Sequence, residues 1–178
     1  MNTARRYRAV LLGVLLLCSP IADAAGWQSV LPSPRLVGQG DFRYFGFRIY
    51  TARLWVSEGA SADGSAPYAL ELTYHRNISR TQFVERSIDE IRRIFGRQVS
   101  DAQLARWQGY MQQAFTDVQP GAQLTGVYLP GKGCQFYSRD KQLADIADPE
   151  FAHAFFAIWL NEKTRDSDLR RQLLAGAR

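Results

Sequence analysis

Cysteine and histidine are scarce in this 178-residue chain: it holds only Cys18, Cys134, His75 and His153, all far apart. The two histidines sit in different elements without the spacing of Cys or Asp partners that a metal site needs, so no metal or other cofactor is expected. There is no apolar run of membrane-spanning length; the longest, Ala9 to Leu17, is too short. Lysines and arginines are scattered, which leaves no footprint for nucleic acid. No Gly-x-Ser-x-Gly elbow occurs. Gly38-Gln-Gly40 is not followed by a helix start, and Gly131-Lys-Gly133 lacks phosphate-loop spacing, so dinucleotide and phosphate binding are both excluded.

The start of the chain is read as a leader. Arg5, Arg6 and Arg8 precede the apolar run, and Ala22-Asp-Ala24 is a small-x-small cleavage pattern, so residues 1–24 form a secretory signal peptide. Cys18 is preceded by Leu17 where a lipid-attachment box wants a small residue, which argues against lipidation. The mature chain, residues 25–178, is expected in the periplasm or outside the cell. It keeps 19 basic and 16 acidic residues, a net charge of +3 rather than +5. Its length suits a single domain. With Cys134 as the remaining cysteine, it has no intramolecular disulfide.

What the mature chain has in abundance is aromatic, β-branched sequence between Gly38 and Val56. This stretch predicts extended strand, bent or turned at Gly46. In the absence of a bulge, alternation places Phe45, Phe47, Ile49, Thr51, Arg53 and Trp55 beside Arg43 on one side. The lead-in, Gly26 to Pro34, is irregular, and Ser57 to Pro67 is a small, polar loop. A second strand begins at Tyr68, with Leu70, Leu72 and Tyr74 on its drier face.

Ser79-Arg-Thr-Gln82 and Ser100-Asp-Ala-Gln103 have capping-box spacing and open two helices. Phe83, Ser87, Ile91 and Phe95 mark the stripe of the first; Leu104, Trp107, Met111 and Phe115 mark that of the second. Gln123–Leu129 and Cys134–Ser138 read as a hairpin about a glycine-rich turn. Asp148-Pro149 opens a third helix carrying Phe151, Ala154, Phe155, Ile158 and Trp159. Asp166 or Ser167 caps a last short one with Leu169, Leu173 and Leu174. The order predicts an α+β domain with helices on an antiparallel sheet.

Two strand residues offer binding chemistry. Arg43 could place a planar fork on a carboxylate, making two hydrogen bonds at once, and Thr51 could add a hydroxyl. Cys134, beside a turn and with no base near it in sequence, reads as a small buried hydrophobe.

The chain resembles the chalcone isomerase-like family, in particular its exported bacterial branch. The resemblance runs through Leu36-Val-Gly-Gln-Gly40, Arg43, Gly46-Phe-Arg-Ile-Tyr-Thr-Ala-Arg-Leu-Trp55 and Leu70-Glu-Leu-Thr-Tyr74. It continues in Glu85-Arg-Ser-Ile-Asp-Glu90, Gly126-Val-Tyr-Leu-Pro-Gly131, Phe155-Phe-Ala-Ile-Trp-Leu160 and Asp166-Ser-Asp-Leu-Arg-Arg171. It implies an open-faced β-sandwich, a large antiparallel sheet covered by a layer of helices, with a ligand cleft between them. Arg43 then matches the cleft arginine and Thr51 the threonine that helps bind the substrate ketone in the plant enzymes.

Departures from the enzymes accompany the resemblance. Phe83 stands where they have an active-site tyrosine, and Glu90 where they have an asparagine. Their late specificity residue falls near Asp148-Pro149. Closing a ring on an enone requires donors for an enolate-like transition state, and losing one such donor costs about 10²–10³ in rate. The expectation is therefore an exported, non-catalytic protein that binds a small amphipathic carboxylate, as the family's fatty-acid binding branches do. Arg43 is its anchor, with Thr51, Tyr50 and Phe83 around the ligand and no catalytic residue. The alternatives are an isomerase of flavonoid-like enones, with Tyr50 or Tyr74 replacing the missing donor, and an envelope partner protein without a ligand.

Overall fold

The computed structural model describes residues 26–139 and 141–177; the expected leader, Cys18 included, lies outside the described residues. Six strands follow the chain in spatial order as an antiparallel meander. They are β1 (Pro34–Tyr44), β2 (Phe47–Ser57), β3 (Tyr68–Tyr74), β4 (Gln123–Leu129), β5 (Gly133–Ser138) and β6 (Lys141–Ile146). Helices α1 (Arg80–Phe95) and α2 (Asp101–Ala114) lie between β3 and β4, and α3 (Pro149–Leu160) and α4 (Ser167–Leu173) follow β6.

The aromatic stretch turns at the expected glycine and becomes two strands. Phe45 and Gly46 form the two-residue loop, with φ of 47° and 78°, the left-handed pair that a tight hairpin turn demands. Strand β6 was not foreseen. Its Lys-Gln-Leu-Ala-Asp-Ile sequence has low strand propensity, and it is held as an edge strand by pairing with β5.

The capping boxes form as read. Ser79 Oγ accepts from the Gln82 amide at 3.2 Å while Gln82 Oε1 accepts from the Ser79 amide, and Ser100 and Gln103 repeat the arrangement. Asp148 caps α3 by accepting from the Phe151 amide, and Asp166 caps α4 from the Leu169 amide. Asp148 also accepts from Trp107 Nε1 at 3.2 Å, which ties α2 to the start of α3.

Strand alternation divides the molecule. Ala52, Leu54, Val56, Tyr68, Leu70, Leu72 and Tyr74 face the helices and join Val84, Ile91, Trp107, Met111, Phe155 and Trp159 in the main core. On the other face a smaller cluster forms from Trp27, Leu31, Ala69, Val127 and Tyr137, so the lead-in segment covers part of that side. Among the described residues the buried core runs from Trp27 to Leu173.

Helix α4 approaches the β1 backbone closely because β1 has glycine there. A Cβ on Gly38 would lie 2.1 Å from the Gln172 carbonyl oxygen and 2.5 Å from that of Leu173. Neither backbone atom can yield without moving α4. Gly38→Ala is therefore expected to destabilise the domain by about 1–3 kcal/mol, the usual cost of overpacking, read as a lowered midpoint in urea.

Candidate functional site

The four residues expected to share a cleft are divided between the two faces of the sheet. Tyr50 points to the helices. Its hydroxyl accepts from Trp159 Nε1 at 2.9 Å, its ring stacks on Phe42 with centroids 5.0 Å apart, and it meets Tyr74 edge-on at 5.9 Å. Phe83 packs on Tyr74 and Phe115 in the same aromatic layer. Burial pushes the hydroxyls of Tyr50 and Tyr74 far above the usual phenol range, and the Tyr74 hydroxyl has no partner among the described residues.

Thr51 belongs to the opposite face. Its hydroxyl donates to Asp41 Oδ1 at 2.7 Å and, having one hydrogen, accepts from His75 Nε2 at 2.9 Å. Arg43 runs along this face too, contacting Asp41 Oδ2 at 3.4 Å and the Gly46 carbonyl at 3.5 Å, with its side chain 58% exposed. Arg48 stands 3.7 Å from the same carboxylate. Plain alternation sets Thr51 on the face opposite Tyr50, and Arg43 shares the face of Asp41, the partner of Thr51. A bulge, in which Phe42 pairs with Tyr50 but Arg43 with Arg48, leaves Ile49 as an extra residue and brings Arg48 onto this face as well. The reading of Arg43 and Thr51 as partners of the aromatic layer is corrected by this register.

Two concavities flank the β1 and β3 ends of this arrangement. The first, about 540 Å³, is a polar depression between the β1–β2 hairpin and the α4 segment. Arg43, Thr51 and Gln39 line it, but so do the three carboxylates of Asp41, Asp166 and Asp168. An added carboxylate there would meet more negative than positive charge.

The second, about 350 Å³, opens on the helix side where the 57–67 loop meets β3, β4, α3 and α4. Tyr68 and Tyr128 are stacked at 4.8 Å and Phe156 meets both edge-on, giving an aromatic wall extended by Ala157, Leu160 and Leu174. Arg170 lies at its margin. Its Nε donates to the Leu160 carbonyl at 2.8 Å, while its terminal nitrogens have no protein partner among the described residues. Sequence reading missed this site because its lining comes from separated segments, a polar loop at residues 62–64 and strand and helix positions with ordinary core patterns.

Other positions of interest are engaged structurally. Glu90 pairs with Arg93 and Arg165. Cys134 is buried, and desolvation raises its thiol well above the usual range, so it is a poor nucleophile. Among the described residues no cluster of three or more His, Cys, Asp or Glu could hold a metal. No described helix is long and apolar enough to cross a membrane.

Residues 34–175 match the chalcone isomerase-like family, and the chain belongs to it. It is 28% identical over 153 residues to an uncharacterized protein of Haemophilus influenzae, covering 86% of this chain and 70% of that one. A solved fatty-acid binding protein of Arabidopsis thaliana has a similar fold, with a TM-score of 0.61 and 13% identity over 82% of this chain and 88% of that one. The open antiparallel sheet with its helical layer is thus the fold of this family.

The network about Asp41 gives a pH prediction. The Thr51 hydrogen bond, followed by the charges of Arg48, Arg43 and His75, outweighs desolvation and holds the Asp41 carboxyl below its ordinary value. A depressed folded-state pKa adds stability above the unfolded value of about 3.9, and that stability is lost as pH falls through the folded value. Asp41→Asn should lower the melting temperature at pH 7, and the gap from wild type should close in melts taken progressively below about pH 4.

Proposed function

We propose that this protein is exported, acts in the periplasm or outside the cell, and binds a small amphipathic anion without chemically changing it. The observation that carries the reading is the 350 Å³ cleft, which joins an aromatic wall to the unengaged end of Arg170. Its volume is at the small end of the range for ligand sites, about 300–1,000 Å³. A carboxylate can take two hydrogen bonds from the guanidinium while its tail covers Tyr68, Phe156 and Leu160. A dozen methylenes at about 0.8 kcal/mol each offset association costs of about 4–15 kcal/mol, which puts micromolar affinity within reach.

The name of the Arabidopsis neighbour supports this class of ligand, and the leader-like residues 1–24 support export. Arg170 replaces Arg43 as the favoured anchor, because Arg43 is shared with Asp41 at an edge rich in carboxylates. Catalysis of the chalcone type lacks its donors. Phe83 has none to give, and neither Tyr50 nor Tyr74 is bonded to Arg43, whose partners are Asp41 and Gly46.

Titration calorimetry with dodecanoate tests the proposal. Wild type should bind in the micromolar range, Arg170→Ala should bind about tenfold or more weakly through loss of a charge-assisted contact, and Arg43→Ala should match wild type. Loss of binding in Arg43→Ala alone would move the anchor to the β1 edge. An absence of binding in all three would refute the fatty-acid-like ligand.

A further inference from the structure

The tip of the β1–β2 hairpin carries three exposed aromatic rings that the ligand reading does not use. Tyr44 is 55% exposed, Phe45 83% and Phe47 59%, and all three lie within four consecutive residues. The turn itself does not call for them. Phe45 has φ of 47°, a left-handed conformation that Asn, Asp or Gly adopts more readily, so phenylalanine here costs stability twice, in backbone strain and in exposed apolar surface.

Arginines surround the rings. Arg43 and Arg48 flank the turn, and the Arg76 guanidinium lies 5.0 Å over the Phe47 ring. Asp41 is the acidic group in contact with this set, pairing with Arg43 and Arg48. The tip therefore presents apolar rings inside a positive collar.

We propose that this hairpin tip docks the protein on an anionic lipid surface, with Phe45 and Phe47 entering the headgroup and acyl boundary and the arginines meeting lipid phosphates. Two features favour lipid over a protein partner. Aromatic rings with a basic rim match the chemistry of a negatively charged bilayer interface. The projecting two-residue turn also presents a few side chains, whereas a stable protein interface takes about 800 Å² from each partner.

Vesicle flotation tests this with the chain from Gly26 onward, which contains the whole described core and excludes the apolar leader. The probes are vesicles of phosphatidylcholine alone and with 30% phosphatidylglycerol, a fraction of roughly one lipid in three chosen to give a strongly negative surface. Binding is expected on the anionic vesicles, falling as salt is raised. Phe45→Ser/Phe47→Ser should weaken it about tenfold or more, and Arg43→Gln and Arg48→Gln by about fivefold each. The melting temperature of each variant, measured alongside, shows that the fold is kept. No flotation of wild type, or equal flotation of wild type and the serine variant, would overturn the proposal. So would sedimentation showing that the aromatic tip instead joins two copies of the chain.

Discussion

The burial of α3 against the sheet is the constraint on which the rest of the domain depends. The helix is apolar nearly all round: Phe151, Ala152, Ala154, Phe155, Phe156, Ala157 and Trp159 are buried. Phe155 alone is in ring contact with Phe115, Phe136, Phe151, Phe156 and Trp159. A helix of that kind must be covered on several sides, which brings the sheet beneath it and α1, α2 and α4 about it. Two sides of its C-terminal half then differ. Trp159 reaches the Tyr50 hydroxyl, whereas Phe156 meets the Tyr68 and Tyr128 pair and leaves a cleft.

Because the helices are all committed to one face, the other face near β1 is left to polar groups. There Asp41, Thr51 and His75 form a hydrogen-bonded chain, and Arg53 spans Gln39 and Glu71. Arg43 belongs to this network. Its geometry suits a role in fixing the hairpin and surrounding the turn with positive charge more than it suits a carboxylate anchor, since Asp41 already occupies it.

The same chemistry that disfavours a catalytic reading favours a passive one. An enzyme of the chalcone type needs a donor aimed into an accessible cleft, and the phenols of the aromatic layer are buried among rings instead. The accessible apolar space lies on another side of the C-terminal half of α3, beside a guanidinium whose terminal nitrogens have no partner among the described residues. The proposed binding without turnover rests on that division.

Sequence by itself determined the elements with local causes. The capping boxes at Ser79 and Ser100, the Asp148-Pro149 and Asp166 starts, the turn at Gly46 and the hairpin about Gly131 each depend on side chains a few residues apart. The aromatic stripes likewise named most of the core, and the family resemblance carried the fold. The tertiary structure decided what has no local cause. Strand β6 exists because β5 offers it an edge, and the bulge at Ile49 brings Arg48 onto the face that Arg43 and Thr51 share, beside Asp41. The cleft at Arg170 gathers residues from Ala62 to Leu174, which only the packing of α3 and α4 on the sheet brings together.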